Sequence, residues 1–210
     1  MSSVATIKRN VIPPHLEVKG GYTLSGILKV SGAKNSSLVL MAAALLTKER
    51  LLIKNVPQLT DIEVMSEILR NLGAKLTKTN NSIEINSESI HNVELPYQLV
   101  HSLRASFFCV GPLLTRLGEA KIPLPGGCNI GARPVDEHLN GLKALGAEVE
   151  VINDVVKAQV STKDKRLRGA NITLKYPSVG ATETILMASC LALGKTTISC
   201  LLYTSPSPRD

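Results

Sequence analysis

The sequence predicts an α/β fold assembled from repeated units, the third of them incomplete, and three observations predict it. Strand patterns alternate with helical ones, and each round closes in a short hairpin. Leu72-Gly73-Ala74 returns as Leu145-Gly146-Ala147, and Asn80-Asn81 returns as Asn153-Asp154, both at an offset of 73 residues. Helix stop and hairpin turn therefore repeat in one register, as stacked structural units require. A third copy opens at Gly169 and stops after one helix and one strand.

Taken in order, Leu16 to Ser31 reads as strand, turn, strand, with Leu16-Glu17-Val18 alternating, Gly20-Gly21 breaking, and Ile27, Leu28 and Val30 resuming. Ser31 is positioned to cap a helix running to about Leu46. Leu51-Leu52-Ile53 reads as a short buried strand. Thr60-Asp61-Ile62-Glu63 has the form of a capping box, followed by a stripe of Ile62, Met65, Leu69 and Leu72 that Gly73 ends. Ala74 to Thr79 and Ser82 to Asn86 form a hairpin about Asn80-Asn81, a turn of the kind that needs positive φ.

The second round places a helix from about His101 to Arg116, a strand at Ala120–Leu124 and a helix from about Val135 to Leu145. The third places a strand at Ile172–Lys175, a helix at Ala181–Leu193 and a strand at Thr196–Ser199. Each round starts a helix at an equivalent place, at Lys34-Asn35, at Arg104-Ala105-Ser106 and at Ser178 to Thr182. Three helix starts can thus converge, each offering free N–H groups and positive partial charge to an anion.

Composition narrows the partners. A net charge of +7 suits anionic ligands. With no Trp and only 3% aromatics there is little platform for stacking nucleic-acid bases, and the basic residues are scattered. The longest apolar run, Leu38 to Leu46, is nine residues, and a membrane span needs about 20. Cys109, Cys128, Cys190 and Cys200 show neither CxxC spacing nor a disulfide framework, which fits a reducing, cytoplasmic setting. Cys109 and Cys190 fall in apolar helical stretches and read as buried, inert thiols. No zinc spacing and no GK[ST] phosphate loop occurs, so neither metal nor cofactor is expected.

The chemistry is concentrated in Leu124-Pro-Gly-Gly-Cys-Asn-Ile-Gly-Ala-Arg-Pro-Val-Asp-Glu-His138. Gly126-Gly127 frees the backbone before Cys128, and Pro134 suits the first turn of a helix. An anion held by Arg133 and that helix start lies within reach of the Cys128 thiol. His138 reads either as a helix-surface imidazole or as part of the site.

This stretch resembles the active-site loop of the UDP-N-acetylglucosamine enolpyruvyl transferases, whose pattern is roughly PGGC-x-IG-x-RPVD-x-H. The resemblance extends over about residues 16 to 200. It implies βαβαββ units of an inside-out α/β barrel, and transfer of the enolpyruvyl group of phosphoenolpyruvate to the 3′-hydroxyl of UDP-N-acetylglucosamine, an early step toward peptidoglycan. It implies Cys128 as the general acid. Lys34 and Asn35, in Ser31-Gly32-Ala33-Lys34-Asn35, would meet phosphoenolpyruvate together with Arg133. Arg104, the run Arg133, Pro134, Val135, Asp136 and Glu137, and Tyr176, Pro177, Ser178 and Val179 would meet the UDP-sugar. The sister shikimate enzyme typically has Ser where this chain has Asn35, which favours the UDP-sugar enzyme.

The same resemblance divides the chain. Residues 1–15 form an extension, 16–33 carry strands of a first domain otherwise absent, 34–200 form the repeat domain with the catalytic loop, and 201–210 form an unrelated, proline-bearing tail. The expectation is that this stretch by itself does not turn over. The rival readings are a binding-only fragment and a nucleic-acid processing protein with similar repeats, such as an RNA terminal phosphate cyclase.

Overall fold

A computed structural model describes residues 16–125 and 134–200. Backbone contacts divide the chain into two compact units between Val30 and Ser31. Ser31-Gly32-Ala33 thus belongs with the repeats rather than with the segment before it. In the first unit, residues 16–30 form no strand, contrary to the alternating pattern. Alternation supplies a strand with two faces, but a strand forms only when a neighbour takes its N–H and C=O groups. Val18, Tyr22, Leu24, Ile27 and Leu28 are accordingly exposed.

The second unit follows the repeat. Its first round holds α1 (Lys34–Ala43), β1 (Arg50–Lys54), α2 (Thr60–Asn71), β2 (Lys75–Lys78) and β3 (Ser82–Asn86). The second holds α3 (Tyr97–Ser102), α4 (Val110–Leu117), β4 (Glu119–Pro123), α5 (Asp136–Ala144), β5 (Glu148–Ile152) and β6 (Val155–Gln159). The third holds β7 (Asn171–Thr173), α6 (Val179–Ser189) and β8 (Thr197–Ser199).

The first two rounds build the same sheet. Each is antiparallel, with the closing strand in the middle, in the orders β1-β3-β2 and β4-β6-β5. In the second round Glu94 also bridges Lys121 in parallel, ahead of α3. The third round forms the same parallel step in full, β7 beside β8 around α6. The second round is therefore βαβαββ in order, its first strand reduced to one bridge.

The inner positions of β3 and β6, Ile83, Ile85, Val156 and Ala158, alternate into the core, to which α2 contributes its stripe of Ile62, Met65, Ile68, Leu69 and the following Leu72. Gly73 and Gly146 end their helices at φ 101° and 91°. Gly73 N–H donates to Arg70 O and Ala74 N–H to Leu69 O, at 2.9 and 3.0 Å. Gly146 N–H donates to Lys143 O and Ala147 N–H to Leu142 O, at 2.9 and 3.1 Å. This pair of bonds is the Schellman cap, present at both ends of the 73-residue interval.

Several local expectations are corrected. The residue capping α1 is Ala33, not Ser31, and Ser37 Oγ donates back to Ala33 O. Thr60 is the first residue of α2 rather than its cap, and Leu59, in the cap position, makes no side-chain bond. β1 lies at a sheet edge with Leu51 and Leu52 exposed, so it is not a buried strand. The helix expected from His101 to Arg116 breaks at Leu103, whose backbone is extended, and resumes as a 3₁₀ turn over Arg104–Cys109 before α4. There the N–H and the hydroxyl of Ser106 both donate to Leu103 O, which tightens the chain past helical spacing. α5 begins at Asp136, so Pro134 precedes its first turn.

The two hairpin turns also differ. Asn153 and Asp154 both take positive φ, 49° and 59°, as a two-residue turn of the left-handed kind requires. Asn80 and Asn81 do not. Their carbonyls accept from the Gln58 side chain and Val56 N–H instead, so that turn is held from outside.

Candidate functional site

The three helix starts meet at one cavity of about 570 Å³. Asn35 reaches it from the start of α1, Arg104 and Ala105 from the 3₁₀ turn, and Tyr176 to Gly180 from the lead into α6. Pro134, Val135 and His138 reach it from α5 and the residues before it. Leu38, Val39, Phe107 and Phe108 make its apolar wall.

Local chemistry explains each placement. α6 is capped by Ser178, whose hydroxyl accepts from Ala181 N–H at 3.3 Å. Thr182 Oγ1 donates back to Ser178 O at 2.7 Å. α1 and α6 thus begin at the cavity, with their positive ends toward it. Among the described lining residues the formal charges are Arg104 and Glu183. Burial holds the Glu183 carboxyl above its ordinary range.

Asp136 and Glu137 lie on the first turn of α5 but are not among the lining residues. Glu137 is 2% exposed. Its Oε2 accepts from Lys175 N–H at 2.6 Å and its Oε1 from Asn140 Nδ2 at 3.0 Å. The Tyr176 hydroxyl donates to Asp136 Oδ1 at 2.6 Å. That bond lowers the pKa of Asp136 and pushes that of Tyr176 up to about 12.

His138 is buried, not on the helix surface. Its Nδ1 lies 3.0 Å from Thr184 Oγ1, and the ring meets Phe107 edge-on with centroids 5.2 Å apart. Burial first, and the Arg104 charge second, lower its pKa to about 4, against a smaller opposing effect of Asp136. It is neutral at pH 7.

The remaining expected site residues fall elsewhere. Lys34 is not among the lining residues, and its Nζ pairs with Asp61 Oδ2 at 2.6 Å. Cys128 and Arg133 lie outside the described residues. Pro125 and Pro134, which flank that stretch, both line the cavity. Cys109 is buried as expected, and burial pushes its thiol up to about 12. Cys190 is exposed, contrary to expectation, because α6 ends at Ser189 and the chain turns outward there.

Sequence reasoning missed the apolar wall and Glu183. A signal was present. The chain contains two Phe, adjacent at 107 and 108, just after the Arg104-Ala105-Ser106 motif. Scarce aromatics beside a candidate anion contact mark a ligand wall.

A family model described as EPSP synthase (3-phosphoshikimate 1-carboxyvinyltransferase) matches residues 18–209. A UDP-N-acetylglucosamine 1-carboxyvinyltransferase of Prochlorococcus marinus strain NATL2A is 94% identical over 199 residues, covering 95% of this chain and 43% of that protein. A protein of the same description from strain MIT 9301 is 60% identical over 184 residues, covering 88% of this chain and 40% of that one. The chain therefore spans less than half the length of these relatives. Among solved structures, the enolpyruvyl transferase NikO from Streptomyces tendae superimposes with a TM-score of 0.69 at 24% identity, covering 85% of this chain and 41% of that one. An EPSP synthase from Acinetobacter baumannii gives 0.64 at 17% identity, covering 87% and 41%.

Proposed function

The chain belongs to the EPSP synthase family and has the enolpyruvyl transferase fold, and from that premise we propose that it contributes one wall of a UDP-N-acetylglucosamine 1-carboxyvinyltransferase site. The observation that carries the reading is the convergence of Asn35, Arg104 and Ser178, one from each round, on a cavity that Pro125 and Pro134 also line. The 94% identity to the Prochlorococcus marinus protein of that description supports the choice of acceptor.

In this reading the Cys128 thiol gives its proton to the methylene carbon of phosphoenolpyruvate. The 3′-oxygen of the sugar bonds to the neighbouring carbon and loses its proton to a base. The C–O bond to phosphate then breaks, a proton leaves the new methyl group, and the enolpyruvyl ether and inorganic phosphate result. Lys34, Asn35 and Arg133 balance the charge of phosphoenolpyruvate. Cys128 is three residues after Pro125, and Arg133 immediately precedes Pro134, so each lies within three positions of a lining residue in the sequence. Arg104, the Pro134 to Glu137 segment and Tyr176 to Val179 serve the UDP-sugar, with the start of α6 toward its diphosphate. The setting is cytoplasmic and the product feeds peptidoglycan synthesis. Among the described residues no helix is long and apolar enough to cross a membrane.

The test grafts this chain in place of the equivalent 199 residues of the strain NATL2A relative. Phosphate release is then measured with phosphoenolpyruvate and either UDP-N-acetylglucosamine or shikimate 3-phosphate. Turnover with the UDP-sugar alone, abolished by Cys128→Ala, is expected. Turnover with shikimate 3-phosphate, or turnover indifferent to Cys128→Ala, would overturn the reading.

A further inference from the structure

Two adjacent acids on one helix hold two adjacent residues of another segment. Glu137 accepts from the backbone N–H of Lys175, and Asp136 accepts from the hydroxyl of Tyr176, each at 2.6 Å. The acids occupy the first turn of α5, where the helix end favours negative charge. The residues they hold are the last before Pro177-Ser178, the cap of α6. Tyr176, Pro177 and Ser178 line the cavity, while Asp136 and Glu137 do not.

Glu137 is the informative member. A carboxylate that is 2% exposed needs its lone pairs met. They are met by a backbone N–H and the Asn140 amide. The carboxylate is therefore engaged by the segment that leads into the cavity lining rather than by the cavity itself. Charge-assisted bonds of this length fix geometry more tightly than neutral ones.

We propose that Asp136 and Glu137 are positioning residues whose side chains form a double clamp that sets Lys175 to Ser178 as the nucleotide-sugar wall. Glu137 sets the backbone of the wall, and Asp136 sets the plane of the Tyr176 ring through its hydroxyl. The ligand assignment rests on the reading in the preceding subsection, while the clamp stands on the geometry alone.

The experiment uses residues 1–210 and the variants Glu137→Ala, Glu137→Gln and Tyr176→Phe. Amide hydrogen exchange at Lys175 is followed by NMR, affinity for UDP-N-acetylglucosamine by calorimetry, and Tm by thermal melting. Glu137→Ala should speed Lys175 exchange about tenfold or more and weaken the UDP-sugar by a similar factor, the scale of one lost charge-assisted bond. Glu137→Gln keeps an acceptor for that N–H and should hold both within about threefold, the scale of a neutral bond replacing a charged one. Tyr176→Phe, at a half-exposed ring, should leave Tm unchanged and still weaken binding about threefold.

Unchanged Lys175 exchange in Glu137→Ala would overturn the clamp. So would wild-type affinity in Tyr176→Phe, the variant that decides the matter if Glu137→Ala does not fold. If the wild-type chain itself fails to bind the UDP-sugar, the functional reading falls, and the exchange measurement alone decides the clamp.

Discussion

His138 Nδ1 lies 3.0 Å from Thr184 Oγ1, and this bond joins α5 of the second round to α6 of the third at the cavity floor. The imidazole is held neutral there. Its pKa is lowered from 6.5 to about 4, chiefly by burial. The unfolded chain binds the extra proton over that range and the folded chain does not. Stability contributed by neutral His138 is thus complete above about pH 6.5, falls as pH drops, and is gone below about 4. A shift of this size corresponds to about 3 kcal/mol. Urea unfolding at pH 7 and pH 4.5 should show a steep loss in the wild type and a shallower one in His138→Gln. Equal slopes would place the acid sensitivity elsewhere.

α6 is seated by absent side chains. A Cβ on Gly141 of α5 would stand 2.2 Å from Ile185 Cδ1, and one on Gly111 of α4 would stand 2.7 Å from Thr184 O. Ile185 is fully buried and cannot swing aside. Gly141→Ala and Gly111→Ala should each destabilise the fold by about 1–3 kcal/mol through overpacking. Ile185→Val added to Gly141→Ala should recover part of the loss, read as a coupling in a double-mutant cycle. Strict additivity of the two would count against the close approach.

Arg116 ties the first round to the second. Its Nη1 donates toward Leu45 O, Thr47 O and Ser87 O at 2.8, 3.0 and 3.0 Å. Burial lowers its pKa, yet a guanidinium keeps its proton. Arg116→Met keeps much of the stem and removes the donors, so it should cost about 2–4 kcal/mol, the scale of more than one charged hydrogen bond. Denaturant midpoints measure this, and a loss below about 1 kcal/mol, the scale of one neutral bond, would mean that water replaces the guanidinium at no cost.

The thiols should separate by reactivity. Cys109, buried and pushed up to about 12, should resist iodoacetamide until the chain unfolds. Cys190 is exposed and should react at the ordinary rate of a surface thiol. Cys128, as the proposed acid, should react first with an epoxide phosphonate. Mass mapping after brief exposure tests the order, and early labelling of Cys109 would contradict its burial.

Much of the repeat was legible because its punctuation is chemical. Gly73 and Gly146 can take positive φ cheaply, so a helix stop written as Leu-Gly-Ala became the same Schellman cap twice. The Ser178 lead into α6 and the gathering of Asn35 and Arg104 were legible for the same reason of register. Asn80-Asn81 failed as a guide to φ because Val56 and Gln58, distant in sequence, take up its carbonyls. Residues 16–30 failed because alternation does not say whether a partner strand is at hand. The bonds of Asp136 to Tyr176 and of Glu137 to Lys175 were not legible, since a sequence shows that an acid is near a site but not which way its side chain faces.

Three sides of the cavity come from the three rounds of the repeat, through Asn35, Arg104 and Ser178. The repeat therefore supplies the same helix start three times, each with its own side chain. Side chains on separate elements that share no partner alter affinity nearly independently. The lining of the cavity can consequently be altered one round at a time, with the contributions of the other two left in place. An internally repeated chain of this kind can remodel a cavity stepwise, since no single round supplies the whole of its wall.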